Sequence, residues 1–112
     1  MMGASSSEFV DFVMEQLAPL GGIDSGRFFG GLGLKAHATQ FAMIMDNALY
    51  FVVDDTTRPR YQRMGSNCFA YDTRQRRVEV KRYFTVPADV LEDQQQLLAL
   101  ARESIATAGR AG

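Results

Sequence analysis

Apolar positions first recur at helical spacing: Phe9, Phe12, Val13 and Leu17 fall on one face. Ser5 with Glu8 fits a capping box ahead of them, each side chain covering the other residue's free N–H. Pro19 and Gly21-Gly22 end this helix. The pattern then changes to strands. Arg27-Phe28-Phe29 reads as a short strand, followed by Gly30, Gly31 and Gly33, where glycine predicts a bulge, a bend or a close backbone approach. Leu32, Leu34 and Ala36 alternate with Gly33 and Lys35 in a second strand, and His37-Ala38 reads as a turn. Thr39 to Met45 makes the third, with Phe41, Met43 and Met45 on one face and Ala42 and Ile44 on the other. Asp46-Asn47 suits a tight hairpin because both residues tolerate positive φ. Ala48 to Val53 is apolar on both faces, which places it centrally in a sheet.

Asp54-Asp55-Thr56-Thr57 then offers caps for a short helix, with Pro59 in its first turn and Gly65 as its stop. Phe69 to Tyr71 reads as a fifth strand and Asp72 to Arg77 as a charged turn. Val78, Val80, Phe84 and Val86 form a sixth strand, interrupted on its apolar side by Arg82. Pro87 starts a helical turn. Asp93 with Gln96 caps a last helix, whose stripe is Leu97, Leu98, Ala101 and Ile105 and whose end is Gly109. The fold class is therefore α+β: an antiparallel β-sheet with N- and C-terminal helices, in a single domain over residues 5–109, with 27–53 as its spine.

Composition narrows the function more than it names it. No apolar run approaches the roughly 18 residues of a membrane span. The N-terminus has neither the basic nor the hydrophobic region of a signal peptide. Cys68 is the only cysteine, which rules out an intrachain disulfide and a multi-thiolate zinc site and fits a reducing cytoplasm. The net charge of −1 hides an uneven spread. Residues 58–82 hold eight basic side chains against Asp72 and Glu79, so that segment is +6 and the remainder −7. These charges either solvate a helix and a hairpin or offer a basic face to nucleic acid or another acidic partner. The candidates for such a face are Arg58, Arg60, Arg74, Arg76, Arg77 and Lys81.

Catalytic constellations are weak. Gly31-Leu32-Gly33-Leu34-Lys35-Ala36 satisfies G-x-G-x-x-A, but a strand follows it where a dinucleotide fingerprint needs a helix N-terminus. His37 has no second imidazole, and Cys68 has no histidine beside it in sequence. Asp11 and Glu15 read as solvated, and Asp54-Asp55 as caps. The sequence thus predicts no enzyme, no cofactor and no metal. Met43, Met45 and Met64 read as core filling, and Tyr50, Tyr61, Tyr71 and Tyr83 as interface candidates.

Four stretches carry a family resemblance: R-F-F-G-G-L-G-L at 27–34, Q-F-A-M-I-M-D-N-A-L-Y-F-V-V-D-D at 40–55, F-A-Y at 69–71 and Y-F-T-V-P-A-D-V-L-E-D at 83–93. Together they resemble the N-terminal domain of the TfoX (Sxy) family of bacterial competence regulators, here in stand-alone form, since those regulators carry a second, C-terminal helical domain. The resemblance implies a fold similar to the type III secretion chaperones, with Gly30, Gly31 and Gly33 as structural glycines. It also implies work in transcription regulation through protein contacts, alongside the cyclic-AMP receptor protein, at promoters of competence-type genes. No catalytic residue transfers. The expected partners are a second copy of the chain and proteins of the transcription machinery, with no membrane. The alternatives are direct nucleic-acid binding by the basic residues, or a small-molecule site built on the glycine-rich bend and Asp54-Asp55.

Overall fold

The computed structural model describes residues 5–111. Six strands form one antiparallel sheet: β1 (Ile23–Phe28), β2 (Gly31–Ala36), β3 (Thr39–Met45), β4 (Ala48–Val52), β5 (Cys68–Asp72) and β6 (Arg77–Thr85). Their spatial order is β1-β2-β3-β4-β6-β5, which keeps the apolar β3 and β4 central as their composition requires. Among the described residues there are also four α-helices, α1 (Ser7–Leu17), α2 (Arg58–Arg63), α3 (Ala88–Glu92) and α4 (Gln94–Ala111), and a 3-10 turn at Ala18–Leu20. The α+β class and the terminal helices are as the sequence indicates.

The helices pack on one face of the sheet, with α4 lying across β3 and β4 and α1 packed on α4. Leu34, Ala42, Ile44, Leu49 and Phe51 point into this layer and are buried with Val13, Leu17, Leu97 and Ala101. The register aligns them in rows: Leu32, Ile44 and Leu49 in one, Leu34, Ala42, Phe51 and Phe84 in the next.

Three consecutive hairpins close through two-residue turns with both central φ angles positive, the combination that matches strand twist. They are Phe29-Gly30 (φ 48° and 85°), His37-Ala38 (54° and 66°) and Asp46-Asn47 (48° and 58°). The first corrects the sequence reading. β1 starts at Ile23 and Phe29 leaves the strand for the turn; the polar run Ile23–Gly26 carries no alternation that could announce a strand. Gly30 therefore makes the bend that was one of the alternatives for these glycines, and Gly31 opens β2 opposite Phe28.

Other differences have local causes. Ser6, not Ser5, caps α1, its Oγ accepting from the Phe9 N–H at 3.1 Å. Ser5 Oγ instead accepts from the Asn47 N–H, while Asn47 Oδ1 accepts from the Ser6 N–H, both at 2.8 Å, so the turn recruits both serines. Phe12 is exposed; Val10 and Met14 take its place against the core. Phe41 does not share a face with Met43. Leu34 pairs with Ala42 and Lys35 with Gln40, so Phe41 is the extra residue of a β-bulge and turns into the helix layer beside Phe51, with ring centroids 6.1 Å apart. Ser104 of α4 reaches this point, its Oγ 2.7 Å from the Phe41 carbonyl oxygen and 3.0 Å from that of Val52. Gly109 lies inside α4, which continues to Ala111.

Candidate functional site

The second face of the sheet is open. By the register, the row Gly26, Gly33, Met43, Tyr50 and Thr85 crosses it. A groove of about 460 Å³ is lined by Phe28, Phe29, Met43, Met45, Phe69, Tyr71, Asp72, Val80 and Tyr83, all from strands and the first turn. Residues of β1 and of β5, at the two ends of the strand order, line one groove because β6 slips its register: Cys68 pairs with Phe84 but Phe69 with Val80. Of the three β6 residues that β5 skips, Tyr83 pairs with Val52 of β4 and the Arg82 carbonyl accepts from the Val53 N–H, so β6 passes from β5 to β4 at this irregularity. Met43 and Met45 form a buried floor, and adaptable thioethers suit an apolar contact of irregular shape.

Aromatic side chains stand around that floor. Tyr50 packs edge-on to Phe69 at 5.4 Å, and Phe69 meets Tyr71 at 6.1 Å. Burial raises the Tyr50 phenol pKa above its ordinary value, with the Asp46 carboxylate adding to the shift, so the ring stays neutral. Gln40 crosses the face to donate from Nε2 to the Tyr83 hydroxyl at 3.1 Å. This crossing explains Gly33, where any Cβ would collide with Oε1 of Gln40. Gly26 has no such reason: its φ is not positive, and a Cβ there would meet nothing within 4 Å.

Phe29 stands out. It is 83% exposed, at the turn position where asparagine or glycine is preferred, and its one ring contact among the described residues is Phe28 at 4.8 Å. The left-handed backbone costs a residue with a Cβ about 1–2 kcal/mol. An exposed aromatic ring held at that cost makes Phe29 a candidate for contact outside the chain. The signal was available in Phe29-Gly30, whose glycine suits the second place of a two-residue turn.

The six candidate basic residues are divided by the fold. Arg58 pairs with Asp55 at 2.7 Å and donates from Nε to the Lys81 carbonyl at 3.0 Å. Arg60 pairs with Glu103 of α4 at 2.8 Å, and Arg77 approaches Asp72 at 3.9 Å. Arg74, Arg76 and Lys81 have no ion pair among the described residues; the first two sit in the β5–β6 turn, the third farther along β6. A polar cleft of about 440 Å³ between α2 and the β5–β6 ribbon gathers Arg58, Lys81, Asp55, Glu79, Ser66 and Cys68. Its charges balance, so it presents no one-signed field. Asp54 holds the chain into α2: its Oδ1 accepts from the N–H groups of Thr56 (3.0 Å) and Thr57 (2.9 Å), and Thr57 Oγ1 accepts from the Asp54 N–H. Those backbone bonds, the one from Thr57 first, lower the Asp54 pKa. Among the described residues, no three His, Cys, Asp or Glu side chains gather as a metal-holding group.

The family model for the TfoX N-terminal domain matches residues 15–108. The chain belongs to the TfoX N-terminal domain family. Comparison with curated proteins gives no match. The matched span takes in the whole sheet and α2, so both the groove and the cleft lie inside the TfoX N-terminal domain. No helix among the described residues is long and apolar enough to cross a membrane.

Proposed function

We propose that this TfoX N-terminal domain is a non-enzymatic binding module of the cytoplasm that acts through protein contacts in the regulation of transcription, at competence-type genes. The observation that carries this reading is Phe29: an 83% exposed ring on a left-handed turn, at the lip of a Met- and aromatic-lined groove. Such a surface supports recognition of another protein, because central aromatic anchors beside apolar pockets supply most of the energy of protein interfaces. The test is capture of RNA polymerase and the cyclic-AMP receptor protein by the immobilised domain, together with competence-type transcript levels after deletion. Capture that weakens on Phe29→Asn, and transcripts that fall on deletion, are expected. No capture with unchanged transcripts would refute the reading.

Direct nucleic-acid binding is the second reading, favoured by Arg74, Arg76 and Lys81, whose side chains carry no ion pair among the described residues. The other three candidates, Arg58, Arg60 and Arg77, already face carboxylates. Phosphate binding would fall steeply with salt. A gel shift absent at low ionic strength removes it.

A further inference from the structure

We propose that a second copy of this chain covers the open sheet face, each copy seating its Phe29 in the groove of the other. This rests on the reading of that face as a protein-docking surface and names the occupant.

Three observations point to a second copy. The first is shape. Knob and hole lie on one face, as a two-fold contact between identical chains requires: Phe29 projects at the lip of the groove it also lines. Beside it, the strip over Gly26 is bare, with open space where a Cβ would stand. Neither backbone conformation nor packing within the chain calls for glycine there. A surface that approaches the β1 backbone closely does.

The second is charge. The chain as a whole is polarised, with +6 in residues 58–82 and −7 elsewhere. Beside the groove, Asp24 nevertheless stands across from Lys35, and Asp72, the one charged residue lining the groove, has Arg77 at 3.9 Å. A balanced face meets its own copy without like-charge repulsion, whereas it offers nothing to a strongly charged partner.

The third is area. Six strands about 4.8 Å apart, rising about 3.3 Å per residue, give a face on the order of 24 by 20 Å. Two such faces in contact remove on the order of 1,000 Å² from water, the lower bound for a specific interface. The dimer is therefore reversible and concentration-dependent, not obligate.

The experiment is light scattering and sedimentation of the full chain across the micromolar range, for the wild type, Phe29→Asn and Gly26→Val. Both variants are chosen to fold. Asparagine suits the left-handed turn, and valine suits a strand and enters open space. Thermal unfolding checks that they do. The expected result is a wild-type monomer–dimer equilibrium that changes little with salt and is weakened about tenfold or more by each variant. A wild type that stays monomeric, a dimer that either variant leaves unchanged, or a dimer that salt dissolves overturns the proposal. If the wild type is monomeric but Phe29→Asn still abolishes capture of a transcription protein, the binding-module reading stands and the second copy does not.

Discussion

The two faces of this sheet share the same strands yet follow different rules. On the covered face, Leu34, Ala42, Ile44, Leu49 and Phe51 are aliphatic or aromatic, fully buried and contiguous with the helices. On the open face the corresponding row runs Gly26, Gly33, Met43, Tyr50 and Thr85, mixing bare backbone, a flexible thioether, a polar-tipped ring and a hydroxyl. The covered face is built for a fixed partner, the helices, which reward volume and shape. The open face mixes side chains buried within the chain, such as Met43 and Met45, with exposed ones, such as Phe29 and Tyr71. The proposed docking surface therefore lies opposite the stabilising core.

Substitutions sharpen or break this contrast. Phe51→Ala removes a fully buried ring that packs tilted against Phe41, and should cost about 3–5 kcal/mol in denaturant unfolding. Tyr71→Ala, at a residue 37% exposed on the open face, should cost less than about 1 kcal/mol. Equal losses would erase the distinction between the faces.

Ser104→Ala comes next. It removes the one hydroxyl that reaches the carbonyls of Phe41 and Val52 beneath α4, and should cost about 1–3 kcal/mol. A neutral result would mean that the bulge satisfies its own backbone. Gly33→Ala should cost about 1 kcal/mol by pushing Gln40 off the face and breaking its bond to Tyr83. In the Gln40→Ala background the same change should be nearly silent, because the obstructing amide is gone. A double-mutant cycle in unfolding reads the difference.

The smallest effect is electrostatic. Asp54 has a folded-state pKa below its unfolded value, from the N–H groups it accepts. Its contribution is complete above the unfolded pKa and is lost as pH falls through the folded one. Unfolding followed on the acid side should therefore show wild type losing stability relative to Asp54→Asn in that window. Parallel curves would show that the turn into α2 does not depend on the charge.

Much of the fold was legible because it rests on neighbours in sequence. Asp46-Asn47 and His37-Ala38 sit in the turns their pattern indicates, β3 and β4 are central, and Asp93 Oδ1 accepts from the Gln96 N–H at the start of α4. The candidate site was legible only in pieces. The sequence offered four tyrosines as interface candidates, yet Tyr61 is buried in the helix layer, with Phe84 at 6.4 Å, while Tyr50, Tyr71 and Tyr83 stand on the open face. The basic cluster was visible as a charge count, but ion pairs to Asp55 and Glu103 are contacts that composition cannot express.

Local pattern alone settled most element types, most turns and much of the core, since periodicity and cap chemistry act within a few residues. Tertiary structure decided what depends on partners far along the chain. The extra residue at Phe41 turned that ring to the helices, and the slipped register of β6 carried Phe69 and Tyr71 over Met43. The hairpin at Phe29-Gly30 left an aromatic ring in solvent. Each is a question of which strand lies beside which and in what register, and strand pairing is a contact between distant residues that no local alternation encodes.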